Sequence, residues 1–132
     1  MEYTFKLMFD ERTINILAYN LETVLAEKIE TVFSRSIANT RPRDFYDIYI
    51  LYTLRKEAYN PSVLREALAN TAEKRGSLYV LSEHKNILDV IQSSDTLQGF
   101  WKKYQEEFSY AEDIAFDDTC NCIRKIMESI RA

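Results

Sequence analysis

Residues 20 to 35 read NLETVLAEKIETVFSR, and the spacing of their apolar members decides the fold. On a helical wheel at about 100° per residue, with Leu21 at zero, Val24, Leu25, Ile29 and Val32 lie within about 80° of it. That is the stripe of a helix packed along its length, predicted from Leu21 to about Ile37. Asn20 is a candidate N-cap, its side-chain oxygen placed to accept an orphan backbone N–H. Lys28 breaks the pattern, falling about 20° from Leu21, and Arg35 lies about 40° away on the same side. Glu27 and Glu30 fall well off the stripe and Glu22 at its edge, as expected of solvated charges.

Downstream the helical signals continue. The linker ANTRP leads into RPRDFYDIYIL (41–51), where Pro42 suits a first helical turn because its missing N–H would be unpaired there anyway. A second helix is predicted from Pro42 to about Glu57. Asn60 and Pro61 start a third, carrying Leu64, Leu68 and Ala72 on one side until Gly76 ends it. Ser82 is read as the cap of a fourth helix, Asp95 as the cap of a fifth, and the last runs from about Asp117 to Ile130. Upstream, YTFKLMF and RTINILAY are rich in β-branched and aromatic residues around the polar break FDERT. They read as two strands, at about 3 to 9 and 12 to 18, forming a hairpin. Two strands alone are marginal and expose two edges, so they imply a larger sheet. The expected fold is therefore mainly α, a bundle of about five to six helices (20–132) behind a short N-terminal β-hairpin (1–19).

Composition limits the function classes. The 132 residues suit one domain, with 46% apolar and 29% charged residues, and the 2 glycines and 2 prolines favour long helices over tight turns. A formal net charge of -4 argues against a protein that coats nucleic acid, leaving room only for a local basic pocket. Cys120 and Cys122 are one residue apart, point in different directions on a helix, and read as reduced thiols of a cytoplasmic protein. No run approaches 18 uncharged apolar residues, so no membrane contact is expected. His84 has no second histidine for a metal site and is assigned to the surface. The tyrosines and Trp101 fall mostly at core spacings and read as packing.

The remaining constellation is charged. On the second helix Asp44 flanks the apolar face and Asp47 sits nearer its edge. If the first two helices pack antiparallel, Arg35, Arg41, Arg43 and Asp44 converge, with Lys28 roughly 10 Å back along the axis. Guanidinium forks and an ammonium neutralise phosphate charge, and a carboxylate orients a hydroxyl or accepts its proton. Each residue also has a structural explanation: Arg43 and Asp47 are an i, i+4 pair, Asp44 favours a first turn, and Lys28 can snorkel or form an internal ion pair with Asp44.

Residues 17–51, LAYNLETVLAEKIETVFSRSIANTRPRDFYDIYIL, resemble the C-terminal signature of the AbiEii/AbiGii toxin family, nucleotidyltransferase-like proteins of bacterial toxin-antitoxin and phage-defence systems. The resemblance rests on the LExxLAEKI helix, the following arginine and RPRDFYDIY, with Trp101 and Tyr104 as a looser match. It implies that Lys28 and Asp44 belong to the catalytic site, and that Lys28, Arg35, Arg43 and Asp47 lie at the bound nucleotide. It also implies a metal-binding core with a Gly-Ser or Gly-Thr turn and a DxD pair, neither of which this sequence contains. The chain is thus expected to be the helical C-terminal part of a longer protein, its hairpin a remnant of the core sheet. Mg²⁺ and a nucleoside triphosphate would serve that longer protein, with an RNA or protein acceptor and an antitoxin as partners. This chain alone is expected to bind no metal and to be inactive. The rival expectation is a non-catalytic helical module that binds an antitoxin or another protein.

Overall fold

The computed structural model describes residues 11–55 and 58–130. Six α-helices follow one another among them: α1 Glu11–Arg35, α2 Pro42–Arg55, α3 Pro61–Arg75, α4 Tyr79–Gln92, α5 Asp95–Glu107 and α6 Phe116–Ser129. Short 3-10 turns, Ser36–Ala38 and Ser109–Ala111, follow α1 and α5. The mainly helical architecture agrees with the sequence reading.

The N-terminal hairpin does not. Residues 12 to 18, assigned to its second strand, belong to α1, and no strand occurs among the described residues. The first strand, at 3 to 9, lies outside them. Ile14, Leu17 and Ala18 stand three or four residues apart on the way to Leu21, so the helical stripe extends upstream. Strand preference of β-branched residues is weak enough for a continuous helix to override. Asn20 consequently sits inside α1 rather than at its cap, and the helix crosses the boundary expected at residue 19.

Helix α1 is the hub. Glu22 Oε2 accepts the N–H of Asn60 at the start of α3, while Glu30 meets Arg75 at its end, so α1 and α3 run in the same sense. The chain reverses between α1 and α2, and Lys28 meets Asp47, making that pair antiparallel as expected. Phe45 touches Phe116 near the start of α6, and Tyr59 bonds Ser129 at its end, so α6 follows α2 in direction. The core is filled by Leu25, Ile29, Val32 and Phe33 of α1 with Ile48, Leu64, Leu68, Leu88, Ile91, Ile123 and Ile126 from its neighbours.

Because α1 packs against α2, α3 and α4, its buried arc is wider than the predicted stripe. Glu30, expected in solvent, is 2% exposed. Its carboxylate accepts hydrogen bonds from Arg75 Nη1 at 2.5 Å and Ser77 Oγ at 2.7 Å. A buried carboxylate needs such partners, since its desolvation is otherwise uncompensated.

Helix ends match the sequence signals unevenly. Asn60 caps α3 by accepting from Ser62 N and Val63 N, and Gly76 ends that helix at φ 71°, a left-handed conformation open to glycine. Asp118 accepts the N–H of Ala115 at the start of α6. Helix α4, however, begins at Tyr79, leaving Ser82 inside it with its hydroxyl on the Tyr79 carbonyl. Ser94, one residue before the expected Asp95, caps α5 through Leu97 N.

His84 is buried rather than on the surface, its edge against Phe33 and its Nδ1 3.1 Å from the Leu81 carbonyl. Cys120 and Cys122 are buried free thiols, both pushed up to about 12 by burial.

Two outcomes follow from this packing. Glu30→Ala should lower the unfolding free energy by about 2–4 kcal/mol in denaturant titration, against about 0.5 kcal/mol or less for Glu27→Ala on the exposed side. The thiols should resist modification in the folded chain. Since their folded pKa lies above the ordinary value of 9.0, the stability they contribute is complete below pH 9 and declines as pH rises from 9 toward 12. Thiol-reagent kinetics alongside unfolding at pH 7, 9 and 11 would check both signs.

Candidate functional site

Helix α2 opens with Pro42, and its first two turns bring two carboxylates inward. Asp44 and Asp47 stand three apart, share a face, and are each 4% exposed. Helix α1 passes antiparallel beside them and presents Lys28. The Lys28 ammonium donates to Asp47 Oδ2 at 2.8 Å, and Arg43 Nε lies 3.7 Å from the same oxygen. Lys28 retains 28% of its side-chain exposure, so its charged end lies at the rim of the seam rather than in the core.

The sequence places Asp47 nearer the edge of the helix and offers Asp44 as the partner of Lys28 only in the internal ion-pair alternative. The observed pairing is with Asp47, because the two helices meet along the Asp47 side at the level of Lys28. Asp44 faces Arg41 instead, Nε to Oδ2 at 3.8 Å, an ionic contact too long to be a hydrogen bond. Arg35 is exposed in the last turn of α1, where a cation suits the helix dipole, and forms no ion pair among the described residues. The structure therefore assembles Lys28, Arg43 and Asp47, holds Asp44 one turn away, and leaves Arg35 outside the cluster.

Three buried polar atoms here lack a hydrogen-bond partner among the described residues: Asp44 Oδ2, Asp47 Oδ1 and Asn39 Nδ2. Asn39 was not singled out from sequence. It is 1% exposed, and its Oδ1 accepts from Arg41 N at 2.8 Å, tying the linker to the start of α2. An asparagine whose side chain bonds the backbone two residues on is a common turn signal, and only tertiary placement reveals its burial. Leaving buried donors and acceptors unmatched costs about 1–3 kcal/mol each, so their concentration beside one ion cluster is informative.

An aromatic cluster borders this seam. Tyr46, next to Asp47 in sequence, packs on Tyr110 with ring centroids 4.8 Å apart and on Tyr104 at 6.1 Å. The Tyr104 hydroxyl is pushed well above its ordinary range, first by burial and then by its bond to Tyr110, with the Asp47 charge adding and Arg43 opposing. Tyr46 is raised likewise, by burial first and then by Tyr110 and Asp47. These phenols remain neutral hydrogen-bonding groups.

Fold and seam together define a mainly helical domain with a buried carboxylate pair answered by cations from two consecutive helices. Residues 2–121 match the family described as nucleotidyl transferase AbiEii toxin, type IV TA system, and the chain belongs to that family. The match runs well beyond the LExxLAEKI and RPRDFYDIY segments, through α5 and into α6. No curated protein and no solved structure matches the chain.

A double-mutant cycle measures how strongly the seam is coupled. Lys28→Met with Asp47→Asn should give a coupling of about 1–2 kcal/mol by denaturant unfolding. The longer and more exposed Arg41 and Asp44 pair should give about 0.5 kcal/mol or less.

Proposed function

We propose that this chain supplies the phosphate-handling side of a nucleotidyl-transfer site, with Lys28 and Arg43 meeting the phosphates of a nucleoside triphosphate. The observation that carries the reading is the Lys28 to Asp47 contact at 2.8 Å, at the rim of a seam whose buried carboxylates keep unmatched oxygens.

In the proposed reaction, an acceptor hydroxyl on RNA or protein attacks the α-phosphorus of the triphosphate. A new P–O bond forms, the α–β phosphoanhydride bond breaks, and pyrophosphate leaves with the bonding electron pair. Lys28 and Arg43 neutralise charge on the phosphates, and Arg35, exposed nearby in sequence, extends the positive rim. Asp44, which the resemblance implies for the catalytic site, is the proposed acceptor of the hydroxyl's proton. Asp47 holds the Lys28 ammonium in place.

The family resemblance also implies Mg²⁺. Among the described residues no three of His, Cys, Asp and Glu come together as a metal set, and both seam carboxylates already face cations. The residues present do not fit a metal centre, and we assign Mg²⁺ to carboxylates of a DxD type that this sequence does not contain. No step above passes through it. An antitoxin is a proposed partner on the strength of the type IV family description. Among the described residues no helix is long and apolar enough to cross a membrane.

Inorganic tripolyphosphate tests the phosphate site without involving a base. Titration followed by amide NMR should shift Lys28, Arg43 and Arg35. Lys28→Ala should weaken binding about tenfold, with wild-type-like helical circular dichroism and weaker binding at higher salt. Absence of shifts on the seam would remove this reading and favour the interaction-module alternative.

A further inference from the structure

The aromatic residues grouped around Tyr46 differ in burial. Tyr46 and Tyr104 are buried at 3% and 7% exposure, whereas Phe108 and Tyr110 are only partly buried at the end of α5 and the turn beyond it. The four rings form one continuous set, with centroids 4.9 Å apart for Tyr104 and Phe108 and 5.4 Å for Phe108 and Tyr110. A 2.9 Å hydrogen bond between the Tyr104 and Tyr110 hydroxyls fixes the Tyr110 ring in place. The inner two rings are buried in the core, and the outer two pack against it while keeping part of their surface exposed.

That surface is continuous with the ionic cluster. Tyr46 shares α2 with Arg43 and is the residue before Asp47, and its ring packs on Tyr110 with centroids 4.8 Å apart, which sets the ring cluster beside this part of α2. A pre-organised aromatic surface bordered by a cation suits a flat, π-faced group joined to an anion. A nucleoside triphosphate has this shape, with its base at one end and its charge at the other. Stacking on such a ring tolerates any base, since every base has a π-face.

We propose that the Phe108 and Tyr110 edge is the nucleobase subsite for the nucleoside triphosphate whose phosphates meet Lys28 and Arg43. This rests on the phosphate-site reading above. The base stacks on the outer rings, the Tyr104–Tyr110 hydroxyl pair holds them, and Arg43 spans the junction between ring cluster and seam.

The test compares ATP with inorganic tripolyphosphate on the full chain, using Phe108→Leu and Tyr110→Leu, which keep apolar volume but remove the π-face. Wild-type chain should bind ATP more tightly than tripolyphosphate. Each variant should weaken ATP by about fivefold or more while tripolyphosphate stays within about twofold. Ring-proton shifts of Phe108 and Tyr110 should follow ATP and not tripolyphosphate. If tripolyphosphate binds wild type as tightly as ATP, or the variants leave ATP binding unchanged, the base subsite is overturned and the phosphate site survives. If the variants weaken both ligands equally, the rings serve packing alone, which also overturns the subsite. If neither ligand binds wild type, both readings fail together.

Discussion

Two aspartates on the inner face of α2 are the constraint around which this chain is arranged. Asp44 and Asp47 are nearly as buried as the isoleucines and phenylalanines beside them, and a buried carboxylate is tolerated only where positive charge and donors reach it. The requirement reaches into α1, whose apolar stripe is interrupted by Lys28 at the level of Asp47. It also fixes the helix register. Moving α1 along α2 by one turn would carry the ammonium about 5 Å from its carboxylate and leave Asp47 only the longer contact with Arg43. The antiparallel α1–α2 seam is thus set by electrostatics as well as by shape.

The same logic recurs on the other side of α1 with a different outcome. Glu30 is held by Arg75 and Ser77, so both its oxygens are used and the contact ties the end of α3 to the hub. At the α2 seam one oxygen of each aspartate is left unmatched.

Much of this was legible in the sequence because helix periodicity is local. The stripe of α1, Pro42 at the start of α2, the Asn60 cap and the Gly76 stop are short-range signals, and the structure has each of them. Lys28 stood out for the same reason, as a charge at an apolar position. The failures come from tertiary context. Residues 12 to 18 combine β-branched composition with helical spacing, and continuity with Leu21 decides for the helix. Glu30 and His84 were misplaced because a one-sided wheel cannot show that α1 is covered by three neighbours or that His84 lies against Phe33. The partner of Lys28 was missed because choosing Asp47 over Asp44 depends on how far α2 slides along α1, which no local pattern encodes.

The central claim is that the Lys28 ammonium is shared between Asp47 and an incoming phosphate. Its side-chain ¹⁵Nζ resonance reports that directly. In the free chain, slow proton exchange and a response to Asp47→Asn are predicted, as for an ammonium held by a carboxylate. Adding a nucleoside triphosphate should move the resonance further, while the corresponding nucleoside should leave it in place. A Lys28 signal that ignores the triphosphate while remaining sensitive to Asp47→Asn would contradict the account and leave the pair as a structural ion bridge.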